Sequence, residues 1–171
     1  MTSLCGIAYY FAGMTAFDAV GHAFTTVATG GFSTHDDSLA FYNSPLIELI
    51  AIVFMLAGGV NFAVHFIVFR KKLLSPYAKD PEVRTYGLVF LFASLFVAAS
   101  LYLSNAYGSV AESLRYAAFQ VASVLTSTGF GTATFASWPL HIPLIMVILS
   151  FTGGCAGSTA GGVKVMRVMI L

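Results

Sequence analysis

Between Pro45 and Phe69 the chain runs for 25 residues with Glu48 and His65 as its only ionisable groups. A stretch of that length crosses a hydrocarbon core of about 30 Å with some tilt, and it reads as a membrane helix. The rest of the sequence then has to return the chain through a bilayer. Arg70, Lys71, Lys72, Lys79 and Arg84 crowd the next segment together with Pro76 and Pro81, which places this loop on the cytoplasmic side. Thr85 to Ser104 is uncharged and leads back to the outer side, where Asn105 to Ser109 supplies turn chemistry. Composition agrees: 58% of residues are hydrophobic and 9% charged, outside the range of soluble domains. Eight basic and seven acidic side chains nearly cancel, so there is no basic excess to hold nucleic acid, and lipid is the expected surrounding.

A third apolar segment opens at Pro143 but runs only ten residues before Gly153-Gly154-Cys155-Ala156-Gly157-Ser158-Thr159-Ala160-Gly161-Gly162 interrupts it. Each interior glycine costs about 1 kcal/mol relative to alanine, so this run cannot hold a tight helix in mid-membrane. A mobile constriction is its natural use, and close helix packing through small residues is the alternative. The segment resumes at Val163, carries Lys164 and Arg167 one turn apart, and stops uncapped at Leu171. Those two cations mark the cytoplasmic end of a pore, touch a regulatory partner, or reach to lipid headgroups. Both ends of the sequence read as lying inside helices, as expected of part of a longer chain.

Two further stretches, Gly13 to Thr26 and Val110 to Leu125, are too short and polar to span. Thr15-Ala16-Phe17-Asp18 and Ser109-Val110-Ala111-Glu112 open them with a capping pattern, and each ends in a Thr/Gly-rich run. They read as half-helices that enter and leave on one side. Thr26-Val27-Ala28-Thr29-Gly30-Gly31-Phe32 and Leu125-Thr126-Ser127-Thr128-Gly129-Phe130-Gly131 share a Thr-Gly pair, and each precedes a proline-led apolar segment with its own Gly-Gly pair, Gly58-Gly59 or Gly153-Gly154. The order of half-helix, strand, outer loop and glycine-broken inner helix therefore repeats.

Ion dehydration is the physical use of such a unit. Irregular backbone at membrane depth survives only where it lines a cavity or is buried in protein. Val27, Ala28, Thr29 and Gly30, with Thr126, Ser127, Thr128 and Gly129, are the residues expected to turn carbonyls onto a monovalent cation in place of water. Gly30 and Gly129 are expected to allow the required backbone angles, and each half-helix aims its negative dipole end at the strand. His35, Asp36 and Asp37 follow the first strand as an acidic patch or a solvated loop. Asn61 and His65 share one face of the first inner helix, bonding a neighbour or lining a vestibule, while Glu48 and Arg115 read as interfacial.

Other chemistries fit less well. Cys5 and Cys155 lack C-x-x-C spacing and read as small buried residues. Gly157 to Lys164 lacks the Ser or Thr that follows the lysine of a phosphate loop, since Val165 stands there. An intramembrane enzyme would need a nucleophile with a base, or metal ligands such as H-E-x-x-H, and neither pattern occurs. A broken-helix secondary transporter for another cation or small solute remains the alternative, although no ionisable coupling residue stands near either Thr-Gly strand.

At these residues a family resemblance becomes specific. Thr25-Thr26-Val27-Ala28-Thr29-Gly30-Gly31-Phe32-Ser33-Thr34-His35-Asp36 resembles the second pore loop of bacterial Trk-type proteins of the Trk/Ktr/HKT potassium-transporter superfamily. Val124 to Gly131 resembles the third pore loop, and Gly153 to Lys164 is similar to the broken inner helix of that third repeat. The resemblance implies an all-α integral membrane fold of M1-P-M2, K⁺-channel-like repeats with re-entrant pore helices and extended filter loops. Residues 1–69 would be the second repeat, 70–84 a cytoplasmic loop, and 85–171 the third. It further implies K⁺ as the transported ion, held by backbone carbonyls with one key glycine per strand (Gly30 and Gly129), and no covalent cofactor. Residues 153–162 would form an intramembrane gate. The implied partners are the remaining pore repeats, a second copy in a homodimer and a cytosolic nucleotide-binding regulatory subunit, with the whole a multi-pass protein of the cell membrane.

Overall fold

The computed structural model describes residues 1–134 and 137–170; Leu171, where the third apolar segment ends, lies outside them. The two half-helices form where their capping patterns predict. In α2 (Ala16–Val27) the Thr15 hydroxyl accepts the Asp18 N–H at 3.2 Å, and in α7 (Val110–Leu125) the Ser109 hydroxyl accepts the Glu112 N–H at 3.1 Å. At 1.5 Å per residue these helices reach roughly 18 and 24 Å, too short to cross a membrane core. By contrast α6 (Pro81–Leu103) reaches roughly 34 Å, is uncharged from Thr85 onward and is long enough to cross. It starts four residues before Thr85, because Asp80 caps the Glu82 and Val83 amides at 2.9 and 3.0 Å and Pro81 fits the first helical position. The basic segment before it is not all loop, since Ser75–Lys79 makes one helical turn, α5.

The apolar stretch after Pro45, expected as an inner helix broken at its glycine pair, is two helices. Helix α3 (Pro45–Gly58) and α4 (Phe62–Lys71) meet at 99°. The glycine pair weakens the helix at that point, and Asn61 starts a new one by accepting the Ala63 N–H at 2.8 Å. Asn61 thus caps its own helix. His65, one turn later, bonds the Ala57 carbonyl at 2.8 Å and the Tyr77 hydroxyl at 2.6 Å, bracing the bend. The third apolar segment is likewise split, into α8 (His141–Phe151) and α9 (Val165–Ile170). Among the described residues the sole bridge of β type, Thr152 to Val163, pins the two sides of that break together.

Packing surrounds the half-helices. Cys5 and Tyr9 of α1 (Thr2–Phe11), Ala19, Ala23 and Val27 of α2, and Ile47, Ala51 and Met55 of α3 share one core with Phe119 and Ala122 of α7. On its other flank α7 packs Ala117 and Val121 against Val97 and Leu101 of α6 and Ile142 and Met146 of α8. Helix α7 therefore packs one flank on α1–α3 and the other on α6 and α8. Both cysteines are fully buried and free. The broad outer faces of α3, α6 and α8 stay apolar and exposed, as lipid-facing or helix-facing surface would be.

Glu48 and Arg115, both read from sequence as interfacial, are partners. Arg115 Nε and Nη2 donate to the two Glu48 carboxylate oxygens, each at 2.7 Å, and tie α3 to α7. The Glu48 side chain is 3% exposed and that of Arg115 is 23%. Breaking a buried pair leaves one charge uncompensated, at a cost of about 3–5 kcal/mol, and the partial exposure of Arg115 puts this case at the low end. Glu48→Ala or Arg115→Ala should each lower the melting temperature of the detergent-solubilised protein clearly. The double Leu substitution should melt closer to the parent than either single variant.

Candidate ion pathway

Each half-helix unwinds into its Thr/Gly strand through the same hydrogen bonds. After α2, the Gly30 and Gly31 amides both turn back to the Thr25 carbonyl, at 2.8 and 3.4 Å. After α7, the Thr128 and Gly129 amides turn back to Ser123 at 2.9 and 3.4 Å. The residue just after each helix cap, Thr29 in one and Ser127 in the other, has a left-handed φ, 50° and 56°. Two positions further on, Gly31 and Gly129 are left-handed as well, with φ of 68° and 89°.

The backbone register therefore differs from the one that the shared Thr-Gly letters suggest. Gly31, not Gly30, is the equivalent of Gly129, and Gly30 is the equivalent of Thr128. Gly30 has no left-handed φ and room for a methyl group, whose nearest neighbour would be the Phe32 ring at 3.6 Å. A Cβ on Gly31 would lie 1.9 Å from the Thr128 carbonyl oxygen. Position 31 thus needs glycine twice over, for its backbone angle and because the second strand lies against it. The two strands are neighbours in space, about a hundred residues apart in sequence.

Carbonyls of Thr29, Gly30, Thr128 and Gly129 accept no hydrogen bond among the described residues. The side chains behind the strands are bonded away from them, which holds the backbone in place. Thr26 bonds the Tyr9 hydroxyl at 2.9 Å and the His22 carbonyl at 2.6 Å. Ser123 donates to the Phe130 carbonyl at 2.7 Å, and Gln120 to that of Ala133 at 2.7 Å. The outer loop of the first unit braces the second strand, with Ser38 Oγ accepting from the Gly131 amide at 3.2 Å and Ala40 N–H donating to the Gly131 carbonyl at 3.2 Å. Gln120 and Ser38 carry no sequence signal that would have marked them as braces.

Below the strands sits the Gly153–Gly162 loop. The Thr159 hydroxyl lies 3.0 Å from the Val27 carbonyl and 3.1 Å from that of Gly58, and Thr29 Oγ1 donates to the Thr159 carbonyl at 2.9 Å. Gly161 faces Ser127. The same loop fills the break in the other inner helix: Cys155 N–H donates to the Gly59 carbonyl at 2.8 Å, Thr159 N–H to that of Gly58 at 3.2 Å, and Phe62 N–H to that of Gly157 at 3.1 Å. Gly154 is needed there, since a Cβ would stand 2.5 Å from the Gly59 carbonyl oxygen. Lys164 folds its ammonium back onto the Ala160 carbonyl, whereas Arg167 is exposed on α9.

At the other end of the strands, the acidic group that sequence placed only as a cap contact proves central. Asp18 accepts from Thr34 Oγ1 at 2.6 Å and Thr15 Oγ1 at 2.7 Å, with His35 Nε2 at 3.6 Å. The Thr34 hydroxyl foremost, and then that of Thr15, hold its carboxyl down to about 2, so it stays charged at any pH a cell meets. His35 stacks on Phe41 at 3.7 Å, while Asp36 and Asp37 are exposed.

Residues 2–171 match the TrkH family, described as a cation transport protein. The Trk system potassium uptake protein TrkH of Salmonella typhimurium is 44% identical over 171 residues, all of this chain and 35% of that protein. The Trk system potassium uptake protein TrkI of Halomonas elongata is 33% identical, over 99% of this chain and 34% of its own length. The crystal structure of the potassium transporter TrkH from Vibrio parahaemolyticus superposes with a TM-score of 0.96 at 42% identity, covering 99% of this chain and 36% of that one. The chain spans about a third of the length of the relatives it matches. Its sequence over nearly its whole length, its all-helical fold and its paired re-entrant strands make it a member of the TrkH family of multi-pass membrane cation transport proteins.

Proposed function

We propose that this chain supplies two pore repeats, residues 1–69 and 85–171 joined by a cytoplasmic segment at 70–84, to a potassium uptake transporter. The observation that carries this reading is the pair of equivalent strands, Thr29–Gly31 and Ser127–Gly129, lying side by side at the C-terminal ends of two half-helices with unbonded carbonyls. Helix C-termini and carbonyl oxygens both favour a cation, and neither offers an anion any donor. Potassium as the ion is supported by the relatives, whose names state potassium uptake. A ring of carbonyls needs more strands than two, so the remaining repeats of the complete transporter are partners. A homodimer and a cytosolic nucleotide-binding regulatory subunit complete the assembly. Of the residues expected to line the filter, Thr29, Gly30 and Thr126 to Gly129 do so in this reading, with Gly31 added by the backbone register, whereas the carbonyls of Val27 and Ala28 are taken by the Thr159 and Thr29 hydroxyls.

In the same reading the Gly153–Gly162 loop is the gate. It lies directly under the strands, touches them through Thr159 and is built of residues with small side chains. Lys164 and Arg167 stand at its cytoplasmic exit.

Rubidium uptake by potassium-starved cells that lack their own uptake systems tests the filter. Alanine at a left-handed position is strained by about 1–2 kcal/mol, before any clash is counted. Gly31→Ala and Gly129→Ala in the complete transporter should therefore cut uptake at least about tenfold with protein still in the membrane. Gly30→Ala should keep more than about half, because that position has ordinary angles and free space. Equal loss at 30 and 31 would contradict the register, and no loss at 31 and 129 would remove the filter assignment. For the gate, deleting residues 156–160 should raise rubidium flux through the transporter reconstituted without regulatory subunits.

A further inference from the structure

Glu82 is a carboxylate 4% exposed in the first turn of α6, and no part of the filter contacts described above involves it. Its Oε1 accepts the Ala156 N–H at 2.7 Å and the Met166 N–H at 3.1 Å. Ala156 lies in the limb of the glycine loop that leaves α8, and Met166 in the opening turn of α9. One oxygen atom therefore joins the two sides of the loop, across ten residues of chain.

The anchor itself is firm. Asp80 caps the Glu82 and Val83 amides, and Pro81 fixes the helix start. One turn on, buried Tyr86 packs its hydroxyl against Gly59, where a Cβ would lie 2.3 Å away. The start of α6 thus meets both inner-helix breaks. The apex of the loop is held to the strands by hydrogen bonds at Thr159 and Thr29, and its base by the Thr152 to Val163 bridge together with the two bonds to Glu82. Neither amide is satisfied by a helix, since Ala156 lies in the loop and Met166 in the first turn of α9, and losing the acceptor leaves both unpaired. Glycine-rich chain offers many other conformers at little cost, so the base contacts decide how much of the time the arch stays in place.

We propose that Glu82 is the latch of this gate: its Oε1, by holding the amides of Ala156 and Met166, keeps the Gly153–Gly162 loop closed beneath the filter strands. The proposal rests on the reading of the loop as a gate. Glu82 is a positioning residue, since it touches the loop and not the ion, and what matters is an oxygen acceptor at the reach of a glutamate side chain. Glutamine presents the same oxygen at the same reach; aspartate falls a methylene short, and alanine has no acceptor.

Radioactive rubidium efflux from liposomes tests this, with the complete transporter reconstituted without regulatory subunits and its melting temperature measured alongside. Glu82→Ala and Glu82→Asp should raise efflux about fivefold or more, the lower end of ordinary coupling between a switch and its site. Glu82→Gln should stay within about twofold of the parent. A merely structural role would lower flux and melting temperature together and would not raise efflux. Should Glu82→Ala fail to fold, the comparison of Asp with Gln decides. Parental efflux in Glu82→Asp, or a rise in Glu82→Gln equal to that in Glu82→Asp, overturns the latch. The variant lacking residues 156–160 separates the two readings: raised efflux there with parental efflux in Glu82→Asp leaves the gate and removes the latch, and parental efflux in the deletion removes the gate itself.

Discussion

Everything in this structure depends on how two broken helices satisfy each other's backbone. At membrane depth an N–H or C=O without a partner costs several kcal/mol, so a helix break survives only where protein supplies the missing bonds. Here each break supplies the other. The Gly58 and Gly59 carbonyls, freed where α3 stops, accept the Thr159 and Cys155 amides of the second break, and the first free amide of α4 bonds Gly157 in return. Glycine at 154 lets the two chains approach closely enough for this exchange. A loop made of such bonds is held in place yet has few bulky side chains to move, as the proposed gating role requires.

The same reciprocity shapes the two Thr/Gly strands. Neither half-helix could end in mid-membrane alone; each turns its last amides back onto its own final turn and leaves the strand carbonyls unbonded. The outer loop after the first strand braces the second through Ser38 and Ala40, and the Glu48 to Arg115 pair ties the inner helix of the first unit to the half-helix of the second. The units are built into one another and not merely placed in series. In the proposed pathway, fixed charge from Asp18 at one end and the dipoles of α2 and α7 at the strands all favour a cation.

Much of this was legible in the sequence because the signals are local. Thr15 with Asp18 and Ser109 with Glu112 set the half-helix starts, and the glycine runs located both breaks. What stayed hidden depends on contacts between distant segments. Matching Thr-Gly letters put Gly30 opposite Gly129, yet the hydrogen-bond pattern after each helix puts Gly31 there, because α2 runs one residue further before its cap than the letters imply. The 99° bend after Gly58 needed carbonyl acceptors to be met by residues a hundred positions away, which no local pattern encodes. Glu48 and Arg115 were visible as charges in apolar surroundings, but sequence does not say with what each pairs, and Glu82, set among the charges of the basic segment, carried no signal of its own.

The central claim is that the strands at Thr29–Gly31 and Ser127–Gly129 together face one cation. Anomalous scattering from thallium, a potassium substitute, in crystals of the complete transporter measures this directly. The account predicts an anomalous peak bounded by carbonyl oxygens of both strands, between the ends of α2 and α7. Thallium bound in the membrane region but away from both strands, with the strand carbonyls pointing elsewhere, would contradict it.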